Sequence, residues 1–362
     1  MKALKFNGVW DVSSVDAPSL QCIDSDDVIV AVEVCGICGT DVGIITGDYP
    51  VAIPGTTLGH ESTGRVMEIG SAVTRFRQGD RVVINPTYSC GKCRMCQIGN
   101  PNHCEHKHGT EAGVSYNGTF ADQYRAKEQF LLHLDDHVSF EGGALTEPLS
   151  CAITGVDKLN ITHTNIRAGV IGAGPMGMLY LWSLHHRGVR AFLVEKNKHR
   201  YSFAKDIAKD ILPEGVRVYA DFNEAMRKEY GCDTEKLDLC VDTTGCLCEI
   251  VFNRLAPGGK VLNVALKNST VKLDVLKIAD KSLSVMGSID SLNNSFERAY
   301  EMIRDGKIPA DKLVSHTFNY EDYLRAFAMV GCDIAAGKQL PITEPNCKVL
   351  LRIPSYGQEY IS

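Results

Sequence analysis

The stretch Ala168-Gly169-Val170-Ile171-Gly172-Ala173-Gly174-Pro175-Met176-Gly177, followed by the apolar run from Met178 to His186, decides the fold. Residues 168–171 read as a short buried strand, and the segment after Gly177 reads as a helix. Between them stands Gly-x-Gly-x-x-Gly in the context where the pattern carries meaning, after a strand and at the opening of a helix. The first glycine makes the turn, Gly174 lets a pyrophosphate approach the backbone, and Gly177 lets the helix pack on its strand. Pro175 and Met176 belong to the turn that opens the helix, whose N-terminal N–H groups and positive dipole end suit phosphate. Residues 190–195 read as the next strand and end in Glu195, where an acid can accept the ribose hydroxyls of a dinucleotide. A carboxylate there repels a 2′-phosphate, so NAD is expected over NADP. Lys196, Lys198 and Arg200 follow directly, and a cation among them leaves NADP possible.

Outward from this core, strand and helix patterns alternate from 168 to about 287, the signature of a parallel sheet. Upstream the pattern is different: strands at 1–6, 27–34, 63–69 and 81–84 are joined by irregular, turn-rich loops. Helical patterns at 295–304 and 321–329 and a strand at 348–353 close the chain. The expectation is an α/β protein in which a doubly wound domain, 151–288, is inserted into a mostly-β domain made of 1–150 and 289–362.

Composition narrows the function classes. The chain has 362 residues, 38 basic against 44 acidic, and a net charge of −6. It lacks a long basic run, which argues against nucleic acid and anionic membranes as partners. No stretch approaches the length of an apolar membrane span, and the N-terminus does not read as an export signal. Fourteen cysteines in such a chain argue for free thiols and metal ligands in a cytoplasmic protein.

Two groups of residues have metal-ligand character. Cys35-Gly-Ile-Cys38-Gly-Thr40-Asp41 and Gly59-His60-Glu61 bring a thiol, an imidazole and a carboxylate to the ends of glycine-punctuated segments, a donor set that suits zinc. Taken alone, Cys38 and His60 could equally be core residues. Cys90, Cys93, Cys96 and Cys104 are spaced for four thiolates to converge on one zinc, a closed and therefore structural site. An iron–sulfur cluster also uses short spacings, but the seven-residue last gap disfavours it. His103, His106 and His108 nearby read as exposed loop residues.

Together these motifs resemble the zinc-dependent medium-chain dehydrogenase/reductase family of alcohol, polyol and threonine dehydrogenases. The resemblance spans nearly the whole chain and includes Asn117-Gly118-Thr-Phe120-Ala121-Asp-Gln-Tyr124 and Glu147-Pro148-Leu149-Ser-Cys151. It implies a GroES-like catalytic domain carrying two zinc ions and an inserted Rossmann domain binding NAD. It implies Cys38 and His60 as catalytic zinc ligands, with Glu61 and Glu147 competing for the carboxylate role. Thr40 is then the hydroxyl that relays the substrate proton, Asp41 fixes the loop, and Cys151 packs. Many relatives carry a relay histidine where this chain has Gly43, and residues 287–293 lack the arginine that sorbitol dehydrogenases use nearby. The implied reaction is hydride transfer between NAD and a secondary alcohol, foremost a polyol, cyclitol or sugar-derived alcohol. An amino alcohol such as threonine is the runner-up, and a catalytically silent NAD-binding protein is the alternative from another class. Relatives of this kind assemble as homo-dimers or homo-tetramers.

Overall fold

The two hydrophobic patterns become two packing units. The computed structural model describes the chain except residues 107–110, 212–216, 233–235, 246–247, 293 and 354–362. One unit comprises residues 1–150, 291–341 and the last strand from Lys348; the other comprises 151–290 together with a short excursion, 342–347.

The first unit is built on the strand Asp27–Gly36, in which Val28 to Val32 and Val34 to Gly36 are all buried. A strand apolar on both faces must lie inside a sheet covered on both sides. It pairs antiparallel with Glu61–Ile69, with Lys348–Arg352 and with Gln123–Lys127. The sheet extends through Arg81–Ile84 to Leu131–His133 on one side and to Val314–Asn319 on the other. Register decides which residues meet at the strand ends. Gly36 stands opposite both Glu61 and Leu350, and Ser62 opposite Ile84. Three neighbouring strands therefore deliver Cys38, His60 and Lys348 to one edge of the sheet.

The helix Ser295–Arg304 coincides with its predicted bounds and buries Phe296, Ala299, Tyr300 and Ile303, the three-and-four spacing of an amphipathic helix. The strand expected at 348–353 is Lys348–Arg352, and the helix expected at 321–329 begins at Tyr323 after a single 3-10 turn.

The second unit holds a six-stranded, wholly parallel sheet. Its spatial order is Val218–Tyr219, Ala191–Val194, Ala168–Ile171, Leu237–Asp242, Leu255–Asn263 and Ser284–Gly287. Numbered along the chain this is 3-2-1-4-5-6, the doubly wound order whose direction reverses beside the first strand, at the carboxyl end where dinucleotides bind. The glycine-rich turn lies at that end.

Candidate active site and metal centres

Cys38 caps the helix Gly39–Thr46, and Asp41 in its first turn reaches back to the Cys38 N–H at 2.9 Å. The other oxygen of Asp41 accepts the Gly59 N–H at 3.2 Å, so one fully buried carboxylate ties together the two loops that carry the candidate ligands. One donor atom each from Cys38, His60 and Glu61 lie within 4.8 Å of one another. Thr40 places its hydroxyl 3.5 Å from the Cys38 sulfur. Cys38 and Thr40 are partly exposed while His60 and Glu61 are buried, so the cluster has a closed back and an accessible front.

The back of the cluster holds a residue that the sequence pattern does not single out. Lys348 is 2% exposed and donates to Glu61 Oε2 and, at 3.1 Å, to the Ile37 carbonyl. Burial works against its ammonium, but Glu61, Cys38 and Glu147 outweigh that and hold its pKa above the ordinary lysine value. The Glu61 carboxylate is packed so closely over Gly36 that a Cβ there would stand 2.2 Å from Oε2; any side chain at 36 would evict it. A lysine opening the apolar run Lys348-Val-Leu-Leu is the one sequence signal that could have raised the question.

Donor chemistry and unsatisfied atoms fit a zinc ion. Glu61 Oε1 and His60 Nδ1 are buried without a hydrogen-bond partner. The Asp41 carboxylate stands 3.8 Å from Nδ1, too far for a hydrogen bond. Burial lowers the His60 pKa, yet Cys38, Asp41 and Glu147 outweigh it and raise the ring well above its ordinary value. Glu147, in the first turn of Thr146–Lys158, is felt by both His60 and Lys348 but stands outside the three-atom convergence.

The four-cysteine lobe fits zinc more tightly. Cys93 and Cys96 sulfurs are 3.4 Å apart, Cys93 and Cys104 3.8 Å, and Cys90 and Cys96 3.9 Å. Tetrahedral thiolates at normal Zn–S length would be separated by about 3.8 Å. Backbone N–H groups of Cys93, Glu105 and His106 approach the sulfurs of Cys90, Cys93 and Cys104 at 3.3–3.4 Å. Such donors favour thiolate, and the backbone N–H groups of Cys96 and Glu105 bring the Cys93 thiol down to about 6. His103 and His106 are exposed, and His108 lies outside the described residues. Exposed Asp24 and Asp26 also converge with buried Asp27, but Lys127 bonds to all three and is the cation there.

In the second unit, Gly177 packs so tightly that a Cβ would stand 1.7 Å from the Gly172 carbonyl, whereas at Gly174 the nearest side-chain or backbone atom is Arg200 Nη1, at 4.0 Å. Gly174 caps Pro175–His186 with no side-chain bond, leaving its first N–H groups and an adjacent guanidinium for an anion. Glu195 is buried; its oxygens accept the Ala173 N–H at 2.8 Å and the Asn197 N–H at 2.7 Å. A carboxylate has about four acceptor positions, so two remain for ribose hydroxyls. Lys196 is exposed, while Arg200 is held by Asn346 of the 342–347 segment at 3.4 Å.

A parallel sheet of this order with this glycine turn, together with a β unit carrying an open and a closed metal-type donor cluster, defines a metal-dependent dinucleotide oxidoreductase. Comparisons agree. The Alcohol dehydrogenase GroES-like domain matches residues 24–136, and the Glucose dehydrogenase C-terminus matches residues 140–337. D-xylulose reductase A of Aspergillus oryzae is 30% identical over 339 residues, 91% of this chain and 92% of that protein. Sorbitol dehydrogenase of Halalkalibacterium halodurans is 31% identical over 307 residues, 83% and 87% of the two chains. The solved 2R,3R-butanediol dehydrogenase of Bacillus subtilis shares the fold with a TM-score of 0.79 at 24% identity, covering 97% of this chain and 99% of its own. The chain belongs to the zinc-type medium-chain dehydrogenase/reductase family, and it is an enzyme of the alcohol dehydrogenase kind.

Proposed function

We propose that the protein interconverts a secondary alcohol and its ketone on a polyol, cyclitol or sugar-derived alcohol, with NAD as the preferred partner. The observation that carries this reading is the convergence of Cys38, His60 and Glu61 with the Thr40 hydroxyl at its accessible front. When bound, zinc at this cluster supplies Lewis acidity to a substrate oxygen, and the dinucleotide supplies the hydride acceptor.

The chain's own groups do the rest. Cys38 and His60 would hold the ion, and Asp41 ties together the two loops that carry them. Glu61, held back by Lys348, and Glu147 are the two carboxylates that can complete the set. Thr40 Oγ1 is the group that accepts and passes on the substrate proton. Cys90, Cys93, Cys96 and Cys104 would hold the second, structural ion. Gly172, Gly174, Pro175, Met176 and Gly177 would receive the pyrophosphate with Arg200 beside it, Lys196 would stay at the solvent edge, and Glu195 would take the ribose hydroxyls.

A polyol is supported by the similarity to proteins named D-xylulose reductase and sorbitol dehydrogenase. Buried Glu195 supports NAD, and the cationic neighbour Arg200 leaves NADP as the weaker partner. The wealth of cysteines, fourteen in the chain, supports a reducing, cytoplasmic setting, and a homo-dimer or homo-tetramer is the assembly proposed. No helix among the described residues is long and apolar enough to cross a membrane. The test is reduced-cofactor production with NAD and NADP across polyols, cyclitols, sugars, amino alcohols and simple alcohols, with a chelator-treated control. A chelator-sensitive, NAD-preferring signal with a hydroxylated class supports the reading. Turnover confined to amino alcohols, or insensitive to chelation, overturns it.

A further inference from the structure

In the second unit, the amino ends of two neighbouring strands gather four cations. Leu237 pairs with Leu255 and donates its N–H to the Arg254 carbonyl at 2.8 Å. Lys236 and Arg254, one position earlier on each strand, therefore stand side by side, with backbones about 5 Å apart. The helix Val275–Asp280 brings two more. Lys277 Nζ donates to Asn253 Oδ1 at 2.8 Å, and the carbonyl of Lys281, which ends that helix, accepts the Gly258 N–H at 2.7 Å. Lys236 Nζ reaches the Asn253 carbonyl at 3.3 Å, so two ammonium groups converge on one asparagine.

These charges are held together without an acid between them. All four residues are partly buried, a setting in which lysine and arginine are ordinarily paired. Among the described residues none of the four makes an ion pair. Burial first, and then the charges of Arg254, Lys277 and Lys281, hold the Lys236 pKa below the ordinary lysine value. The nearby acids are engaged elsewhere: Asp238 accepts the Arg167 N–H at 2.8 Å, and Asp274 caps the start of Val275–Asp280.

Neutral groups answer only part of the charge. Arg254 donates to Asn223 Oδ1 at 2.8 Å, and Lys277 stands 5.3 Å over the Phe252 ring. The helix Cys248–Asn253 turns its carboxyl end to Lys236, but such an end carries only about half a negative charge. Most of the positive charge stays unbalanced. Asn253, whose carbonyl and Oδ1 both accept from lysines, keeps its N–H2 as a further donor.

We propose that this cluster binds the oligophosphate group of a small molecule, at the end of the sheet opposite the glycine turn. An oligophosphate carries several negative charges in a small volume, whereas one carboxylate leaves most of the cluster unanswered. Arg254 offers a planar fork to phosphate oxygens, and the lysines add point charges around it. Because the sheet is wholly parallel, a full strand, roughly 17 Å, separates this end from the dinucleotide turn. The occupant and the dinucleotide therefore bind without excluding one another.

The test is isothermal titration of the zinc-loaded enzyme, saturated with NADH, in low salt. Saturation fills the dinucleotide site, so heat from an added phosphate reports a second one. Tripolyphosphate and ATP should bind with similar affinity, and citrate more weakly. Lys281→Gln and Arg254→Gln should each raise the Kd for tripolyphosphate by about ten-fold, the loss expected for one charge-assisted hydrogen bond. Without phosphate, Lys281→Gln should melt no lower than the parent, because it removes one of two like charges a helical turn apart. Absence of heat with tripolyphosphate, a Kd unmoved in both variants, or binding of ATP without tripolyphosphate would each overturn the proposal. So would citrate binding as tightly as tripolyphosphate, or a Lys281→Gln protein that melts lower and binds phosphate as the parent does.

Discussion

The two metal-type centres of the first unit are built in opposite ways. All four donors of the lobe lie between Cys90 and Cys104, and the sulfurs of Cys90, Cys93 and Cys104 accept backbone N–H groups of residues 93–106. The Cys38–His60–Glu61 cluster draws on two strand ends and on Lys348 at a third, hundreds of residues away in sequence. The lobe has four like donors and no place for a fifth group. The cluster has mixed donors, a partly exposed front and orphaned polar atoms behind. A centre closed by its own segment can only stabilise; one assembled from several elements can leave a coordination position to chemistry.

The contrast can be broken by experiment. The largest effect is expected for Cys38→Ala or His60→Ala, each lowering kcat/KM by about 1000-fold or more, the equivalent of about 4 kcal/mol of barrier. Thermal midpoints of both should stay within about 3 °C of the parent, since the fold does not depend on this ion. Comparable activity in either variant would show that the open cluster is not where chemistry occurs. Cys93→Ser should do the reverse. It should lose one zinc per chain by elemental analysis and melt on the order of 10 °C lower, with the folded fraction still active. A midpoint unchanged in that variant would leave the lobe without its structural role.

Lys348→Met probes whether the open centre also carries stability. Stranding the buried Glu61 carboxylate should cost about 3–5 kcal/mol in denaturant unfolding, and adding Glu61→Gln should recover most of that loss. If the single variant is neutral, the pair is not what holds the back of the cluster. The smallest effect concerns pH. Because the folded-state pKa of Lys348 is raised, its contribution is complete below the unfolded lysine value of about 10.4 and is lost only as pH climbs through the higher folded value. The stability gap between parent and Lys348→Met should therefore be level between about pH 6 and pH 9. A gap that closes towards the upper end would mean the amine is neutral in the folded state.

The same division between local and distant explains what is legible in the sequence. Gly172 to Gly177 and Cys90 to Cys104 are contiguous, and each residue's role is set by neighbours a few positions away. Asp41 reads from sequence as a loop residue. Its two oxygens in fact join the Cys38 loop to the Gly59 loop, a bond between segments that no spacing rule reveals. Lys348 reads only as the start of a strand. Residues 342–347 carry no pattern that would assign them to the cofactor-type unit, yet Ile342 and Asn346 there bond to Asn197 and Arg200.

By itself the sequence determined the parallel sheet, the glycine turn with Glu195 after it, the closed cysteine lobe and the residue types available for an open zinc centre. These are set by periodicity, backbone sterics and ligand spacing, all short-range properties. Only the tertiary structure decided that Glu61 is shared with a buried lysine, and that Asn85 and Glu297, more than 200 positions apart, line one cavity. The reason is physical. Antiparallel register carries residues of unrelated sequence position to the same sheet edge, and a buried charge can persist only where such a neighbour is supplied.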